Sequence, residues 1–373
     1  MYAAEPALLY ARPGGRAALP HAALRQTIPA VPALLRFRRR PTSMMRPRHC
    51  SWLTAAALLA SCALLTAAAP TPFVIALVRD DGVMLPVATH DRGRWRMPWP
   101  GPVKEADVPA RLEDCPLAWW GLPTAPVAWT LHVPGESPRS VTVDRPTWVR
   151  SYCRQQVALH SRAATRPLLR MATGARVPKY GVAVAGPGQV RLPRPVAPES
   201  SEGQALLDHL QTTFNREEQL MLALDYFAVY QPSLGAEDRA RLPIRPLSMH
   251  AGPGRDGGTY FVELTRTYPR RQPERLRWCD EVSYLAGWVR RRRDHSLDLT
   301  LVTRAVTSCL LDTAQRAHPL AVVETPRGPV WMLELYRPDI EMVGMFLAPA
   351  GDAPEPLVIR EIGRCVDPRT PSP

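Results

Sequence analysis

Three places in this sequence bring acidic and imidazole or thiol groups close enough along the chain to invite acid–base or metal chemistry. His209 stands with Glu217 and Glu218 in a helical pattern. Eight residues make about two turns, so His209 and Glu217 share a face but lie about 12 Å apart along the axis. That is too far for both to bind one metal unless a third element comes between them, and no H-E-x-x-H accompanies the pair. Asp280-Glu281 beside Cys279, and His90-Asp91, each supply groups that a cleft can use for proton transfer. Neither has a partner at diagnostic spacing. No G-x-S-x-G elbow, P-loop or EF-hand loop occurs, and no spacing calls for a cofactor or a metal. Gly252-Pro253-Gly254-Arg255-Asp256-Gly257 matches G-x-G-x-x-G in letters alone. It precedes a strand pattern instead of a helix, and Pro253 removes an amide that a phosphate would need, so a loop is expected.

Aromatic and sulfur groups offer two further chemistries. Trp95 and Trp99 alternate with arginines and prolines, and Trp119-Trp120 follow soon after. Indole faces are apolar and rigid, so these four can stack on a sugar or a peptide. They can equally cover the open ends of a small β core with arginines packed across them. Past residue 69 there are five cysteines: Cys115, Cys153, Cys279, Cys309 and Cys365. In an oxidising compartment they make up to two disulfides. Cys279 and Cys309 flank a strand–loop–strand pattern at comparable distances from its turn and are expected to pair. Cys115 and Cys153 are then the second pair, with Cys365 left in the tail. No C-x-x-C is present, so neither a zinc ribbon nor a thioredoxin-like site is supported.

The compartment is read from Ser51–Ala69, nineteen uncharged residues behind Arg46, Arg48 and His49. A basic start, an apolar run and small residues at its end are the layout of an export signal. Three readings stay open. The segment is a signal peptide cleaved near Ala69, a lipoprotein signal centred on Leu59-Ala60-Ser61-Cys62, or an uncleaved membrane anchor just long enough to span. Residues 1–43 read as a disordered leader or an over-extended gene start, with Met44 and Met45 where a signal of ordinary length begins, and 44–68 as the signal peptide or anchor. A mitochondrial transit reading of the leader ranks second.

The chain's formal charge of +13 invites a nucleic-acid partner, but its placement argues against one. Residues 1–68 carry nine arginines and one glutamate, leaving the rest only mildly basic. Lys104 and Lys179 are the only lysines and Asn215 the only asparagine, a skew expected from a GC-rich genome. Arg290–Arg293 reads as a solvated loop.

The elements that must position these groups are mostly strands. Phe73–Val78 and Val83–Thr89 flank Asp-Gly, a hairpin signal. Val127–Val133 alternates, with Val127, Trp129, Leu131 and Val133 on one face, and returns through Pro134–Pro138 into Ser140–Val143. Tyr180–Ala185, Gly186-Pro187-Gly188 and Val190–Leu192 read as a third hairpin. Pro193–Gly203 is rich in proline and short polar residues and reads as a linker. A long helix follows, capped by Ser200 or Ser201, with Leu207, Leu210, Phe214, Met221, Leu224 and Ala228 at helical spacing and Pro232 ending it. A shorter helix follows, with Ser233 as its cap and Glu237-Asp238 in its first turns.

From Tyr260 onward seven strand patterns crowd together: 260–267, 281–289, 297–306, 320–324, 330–336, 341–347 and 357–362. The expected fold is therefore α+β and mostly antiparallel β. It divides into a β-rich N-terminal part (70–192), the linker (193–203), a helical segment (204–242), a C-terminal antiparallel sheet or partly closed barrel (259–362) and a disordered tail (363–373). The expected function is that of an exported periplasmic, envelope or secreted protein, non-enzymatic, that binds an envelope partner or a carbohydrate or peptide ligand. No nucleic-acid partner is expected. The alternative is a cell-envelope hydrolase with scattered site residues. A cleft gathering His, Asp and Glu favours the hydrolase; an aromatic shelf favours the binder.

Overall fold

A computed structural model of the 373-residue chain describes residues 71–151, 154–162, 179–223, 234–253, 258–268, 281–292, 296–308, 314–337, 340–348 and 354–364. Ser51–Ala69 lies outside them, as do Cys153, Cys279, Cys309 and Cys365. Among the described residues no helix is long and apolar enough to cross a membrane. The fold is mostly antiparallel β with one long helix.

The first strand organises the N-terminal half. Phe73–Arg79 (β1) is buried along its whole length. Val74, Ala76 and Val78 point into one core, and Phe73, Ile75 and Leu77 into another. A strand with both faces buried needs an unbroken apolar run, which FVIALV provides. Its hairpin to Val83–Asp91 (β2) turns at Gly82, whose φ of 76° suits glycine. Arg94–Arg96 (β3), Ala128–His132 (β4), Arg139–Ser151 (β5), Arg154–Ser161 (β6) and Lys179–Ala185 (β7) complete the first sheet. β1 pairs with both β2 and β7, so β1-β7-β4-β5-β6-β2 closes into a six-stranded barrel. In β4, Trp129 and Leu131 face inward and Ala128 and Thr130 outward, as the alternation requires, while Val127 is left exposed.

The closed barrel is therefore N-terminal, not C-terminal. The expected hairpin at 180–192 does not form. Gly186, at φ 103°, turns the chain away from the barrel, and Val190–Arg191 (β8) joins a different sheet. The next residues, Arg194–Pro195 (β9), pair with a third sheet, so the proline-rich stretch is built into the molecule and Val196 is buried. Ser200 caps the helix Ser201–Ala223 (α1), its Oγ accepting the Gly203 N–H at 3.1 Å. The helix buries Leu206, Leu210, Phe214 and Met221, with Leu207 only partly covered; Leu224, Ala228 and Pro232 lie outside the described residues. Ala236–Ala240 (α2) follows with Gly235 at its N-cap, Ser233 lying outside the described residues.

The C-terminal strands divide into two sheets. Arg245–Ala251 (β10), Thr259–Tyr268 (β11), Glu281–Arg291 (β12) and Leu297–Ser308 (β13) form one with β9. Arg316–Thr325 (β14), Gly328–Arg337 (β15), Ile340–Leu347 (β16) and Glu355–Arg364 (β17) form the other with β8. β10 was not expected, because Pro243 and Pro246 break the pattern. A register shift between Pro246 and Ser248 absorbs the missing N–H. The four cores stack in order. One fills the barrel; the next lies between the barrel's outer face and the β14–β17 sheet. The third lies between the two sheets, around Trp288 and Trp331, and α1 covers the far face of β10–β13.

Candidate functional site

A cleft of about 520 Å³ opens between the barrel and the edge of the β14–β17 sheet. From the barrel come Lys179, Tyr180, Gly181 and Val182 of β7 and Pro134 beyond β4. From the sheet come His318, Pro319 and Leu320 of β14 and Glu334 of β15, with Leu192 bridging the two. The cleft exists because β8 pairs with only Val322 and Val323, leaving the earlier part of β14 as an edge. Pro319, which has no N–H to offer, sits on that edge beside a register shift between Pro319 and Ala321. Such a bulge re-aims neighbouring side chains, and here they line the opening.

Two of the lining residues, Lys179 and Glu334, belong to an ion cluster that continues beneath the cleft to the fully buried Glu341. Lys179 Nζ lies 3.1 Å from Glu334 Oε1 and also pairs with Glu341. Glu334 and Glu341 come from neighbouring strands and are 2% and 0% exposed, against 10% for the lysine. Burial pushes the Glu341 carboxyl up to about 7; the Lys179 charge opposes this, and Glu334 adds to it.

A second polar cluster lies behind His318, which stands opposite Glu334 in the strand register. Its Nδ1 is 3.5 Å from Glu263 Oε2. Glu263, 1% exposed, accepts from Ser248 Oγ at 2.7 Å, Tyr284 OH at 2.9 Å and Arg316 Nη2 at 3.3 Å. The Tyr284 oxygen in turn accepts the Ala317 N–H at 3.0 Å. Burial pushes Glu263 up, but the bonds from His318 and Ser248 and the Arg316 charge outweigh it, so its pKa falls below the ordinary value. The His250 ring meets that of His318 edge to face at 5.3 Å, and burial, with the neighbouring His318, drives His250 down to about 4. His318 is thus an imidazole held from behind by a carboxylate, on the wall of a cleft that also holds an ammonium group and a carboxylate.

The residues singled out in the sequence lie elsewhere. Trp99 and Trp120 are buried in the barrel core, with ring centroids 4.8 Å apart, and offer no face to a ligand. Trp119 packs edge-on against Trp99, and Trp95 against His90 and Phe73, each half-buried. His90 lines a small pocket of about 50 Å³ with Trp95, and burial lowers its pKa. His209 is exposed, whereas Glu217 pairs with Arg304 at 2.6 Å and Glu218 with Arg266 at 2.9 Å, so the helix cluster does not converge. Gly252 begins the connection between β10 and β11, its N–H bonded to Thr259 O at 2.8 Å, and a strand follows. Cys115 is a buried free thiol that burial pushes up to about 11. Its expected partner Cys153, the pair Cys279–Cys309 and Asp280 lie outside the described residues. Among the described residues no group of three or more His, Cys, Asp or Glu is placed to hold a metal.

The site residues did leave a trace in the sequence. Glu263 sits in FVELT and Glu334 in WMLELY, acids inside apolar strand runs where a buried charge needs a partner. Lys179 is one of two lysines in a chain that otherwise uses arginine. Compared with protein-family models, curated proteins and solved structures, the chain matches none.

Proposed function

We propose that the chain is an exported envelope or secreted protein whose business is to bind a small ligand in the cleft between barrel and sheet. The observation that carries this reading is the cleft itself. Its volume of about 520 Å³ falls in the range of small-molecule sites. Its walls are apolar at Pro134, Val182, Leu192, Pro319 and Leu320, and polar at Lys179, Tyr180, His318 and Glu334. Binding is favoured over catalysis because the strongest charges are engaged with one another, Lys179 with Glu334 and Glu341, and Glu263 with Arg316. Export rests on Ser51–Ala69 alone; N-terminal sequencing of protein from the producing cell should find a start near Ala69 or a modified Cys62. An unprocessed soluble chain in the cytoplasm would overturn export.

One observation favours the second reading, a cell-envelope hydrolase. His318, with Nδ1 on a buried carboxylate, is oriented as a general base would be. A single pair of measurements separates the two. Binding of small amphipathic probes, followed by calorimetry, should occur with the wild type and disappear in Leu320→Trp, which fills the cleft. Hydrolysis of p-nitrophenyl acetate above the buffer rate, lost in His318→Gln, would overturn the binding-only reading. Probe binding that survives Leu320→Trp would remove the cleft as the site.

A further inference from the structure

His318 belongs to the cleft and to the interior at once. It lines the opening, its side chain 39% exposed, while its Nδ1 lies 3.5 Å from Oε2 of the buried Glu263. The hydrogen on that contact can be placed. Glu263 accepts from Ser248 Oγ, Tyr284 OH and Arg316 Nη2, and its pKa lies below the ordinary carboxylate value. It is therefore ionised and can only accept, so Nδ1 carries the hydrogen. A neutral imidazole has a single N–H, which leaves Nε2 with a lone pair and no proton. The two ring nitrogens point in nearly opposite directions. With Nδ1 turned inward to the carboxylate, Nε2 is directed to the open side of the ring. Among the described residues the side chain's other contact is the edge-to-face meeting with His250. That ring supplies no donor: its hydrogen bond runs to the Pro193 carbonyl, and its Nδ1 is itself without a partner. His318 thus presents to the cleft a basic nitrogen that the described residues leave without a hydrogen.

Resting on the reading of the cleft as a binding site, we propose that its ligand is a phenol, a neutral aromatic hydroxyl compound whose O–H donates to His318 Nε2. The ligand must bring the hydrogen that the nitrogen lacks, which a hydrocarbon or a carboxylate cannot do. An aromatic hydroxyl is a stronger donor than an aliphatic one and joins an apolar body to a polar tip. Pro134, Val182, Leu192, Pro319 and Leu320 supply the apolar lining for that body. Being neutral, it asks for no counter-charge beside Lys179 and Glu334. Glu263 acts here as a positioning residue: it fixes which ring nitrogen is bare and does not touch the ligand.

The test compares phenol with toluene, which has the same shape and no donor, by titration calorimetry at about pH 8, where an ordinary imidazole is neutral. Toluene calibrates the apolar part of binding, so the hydrogen bond is read from the ratio of the two affinities. That ratio should fall at least about tenfold in His318→Phe, the loss expected for one hydrogen bond. Nitrogen NMR of isotope-labelled wild type, with His318 assigned by its absence from the variant or through its coupling to the bound phenol, should show a bare Nε2 and a protonated Nδ1. The Nε2 signal should move on adding phenol and stay in place on adding toluene. If His318→Phe fails to fold, the NMR result decides alone. A ratio unchanged by His318→Phe, or a protonated Nε2, overturns the inference and leaves the cleft standing as the site. So does tighter binding of cyclohexanol, benzylamine or benzoate than of phenol. Phenol that fails to bind at millimolar concentration also overturns it. If phenol and toluene both bind Leu320→Trp as they bind the wild type, the cleft reading falls and takes the inference with it.

Discussion

The buried glutamate on β16 should govern how the fold responds to pH, and Glu341→Gln isolates its effect. The side chain is fully buried, and its pKa is raised from 4.5 in an unfolded chain to about 7, burial being the largest cause. An acid raised in this way keeps its proton in the folded state where the unfolded chain has already released it. Its stabilising contribution is therefore complete below about pH 4.5 and is lost as pH rises through about 7. Two to three pKa units correspond to a penalty on the order of 3 kcal/mol above pH 7. Glutamine has the same shape, carries no charge at any pH, and can still accept from Lys179. Urea unfolding should find the two proteins close in stability near pH 5 and the variant ahead by roughly 2 to 4 kcal/mol near pH 8, with unchanged denaturant slope. His90, His132 and His250 work in the opposite sense, because burial lowers their pKa values and their contribution is lost on acidification. They are common to both proteins and cancel in the difference. Parallel stability profiles across this range would refute the raised pKa of Glu341.

Two further outcomes follow from the same region. A Cβ added at Gly181 would lie 2.3 Å from the His132 carbonyl oxygen, so Gly181→Ala must push β4 and β7 apart. A loss of about 1 to 3 kcal/mol is expected in urea unfolding, and an unchanged midpoint would show that the barrel seam yields freely. Tyr284→Phe removes the hydroxyl that donates to Glu263 and accepts from Ala317 N–H. Leaving both buried groups short of a partner should cost about 1 to 3 kcal/mol, and hydrogen exchange at the Ala317 amide should rise; full protection of that amide would contradict the bond.

Much of the local architecture was legible because it depends on near neighbours. The FVIALV run with its Asp-Gly turn, the alternation around Trp129, the long helix and the seven closely spaced C-terminal strands all appear where the pattern puts them. What could not be read depends on distant partners. That β1 would meet β7 and close a barrel is written in no local spacing, and β8 and β9 are too short to show any periodicity. Proline hid β10, because a bulge can absorb what a regular ladder cannot. The tryptophan-rich loop signals apolar bulk, and bulk of that kind serves a core as readily as a ligand. The cleft gathers Lys179, His318 and Glu334, separated by up to about 150 residues, so only the folded chain assembles it. Their trace, charges set inside apolar strands, shows that a partner is needed without saying which.

The double pairing of β1 also orders events in time. Its contact with β2 forms across three residues, but Val74 meets Ala185 only after more than a hundred residues have been made. At a synthesis rate of about 5–20 residues per second, that interval lasts roughly 5 to 20 seconds. Throughout it, one edge of β1 presents unpaired N–H and C=O groups along a strand that is apolar on both sides, the type of segment that recruits foreign strands. The newborn chain therefore passes through a stage in which its most cohesive segment is also its most adhesive one. A holding chaperone would have most to do there, between the emergence of Phe73 and that of Ala185.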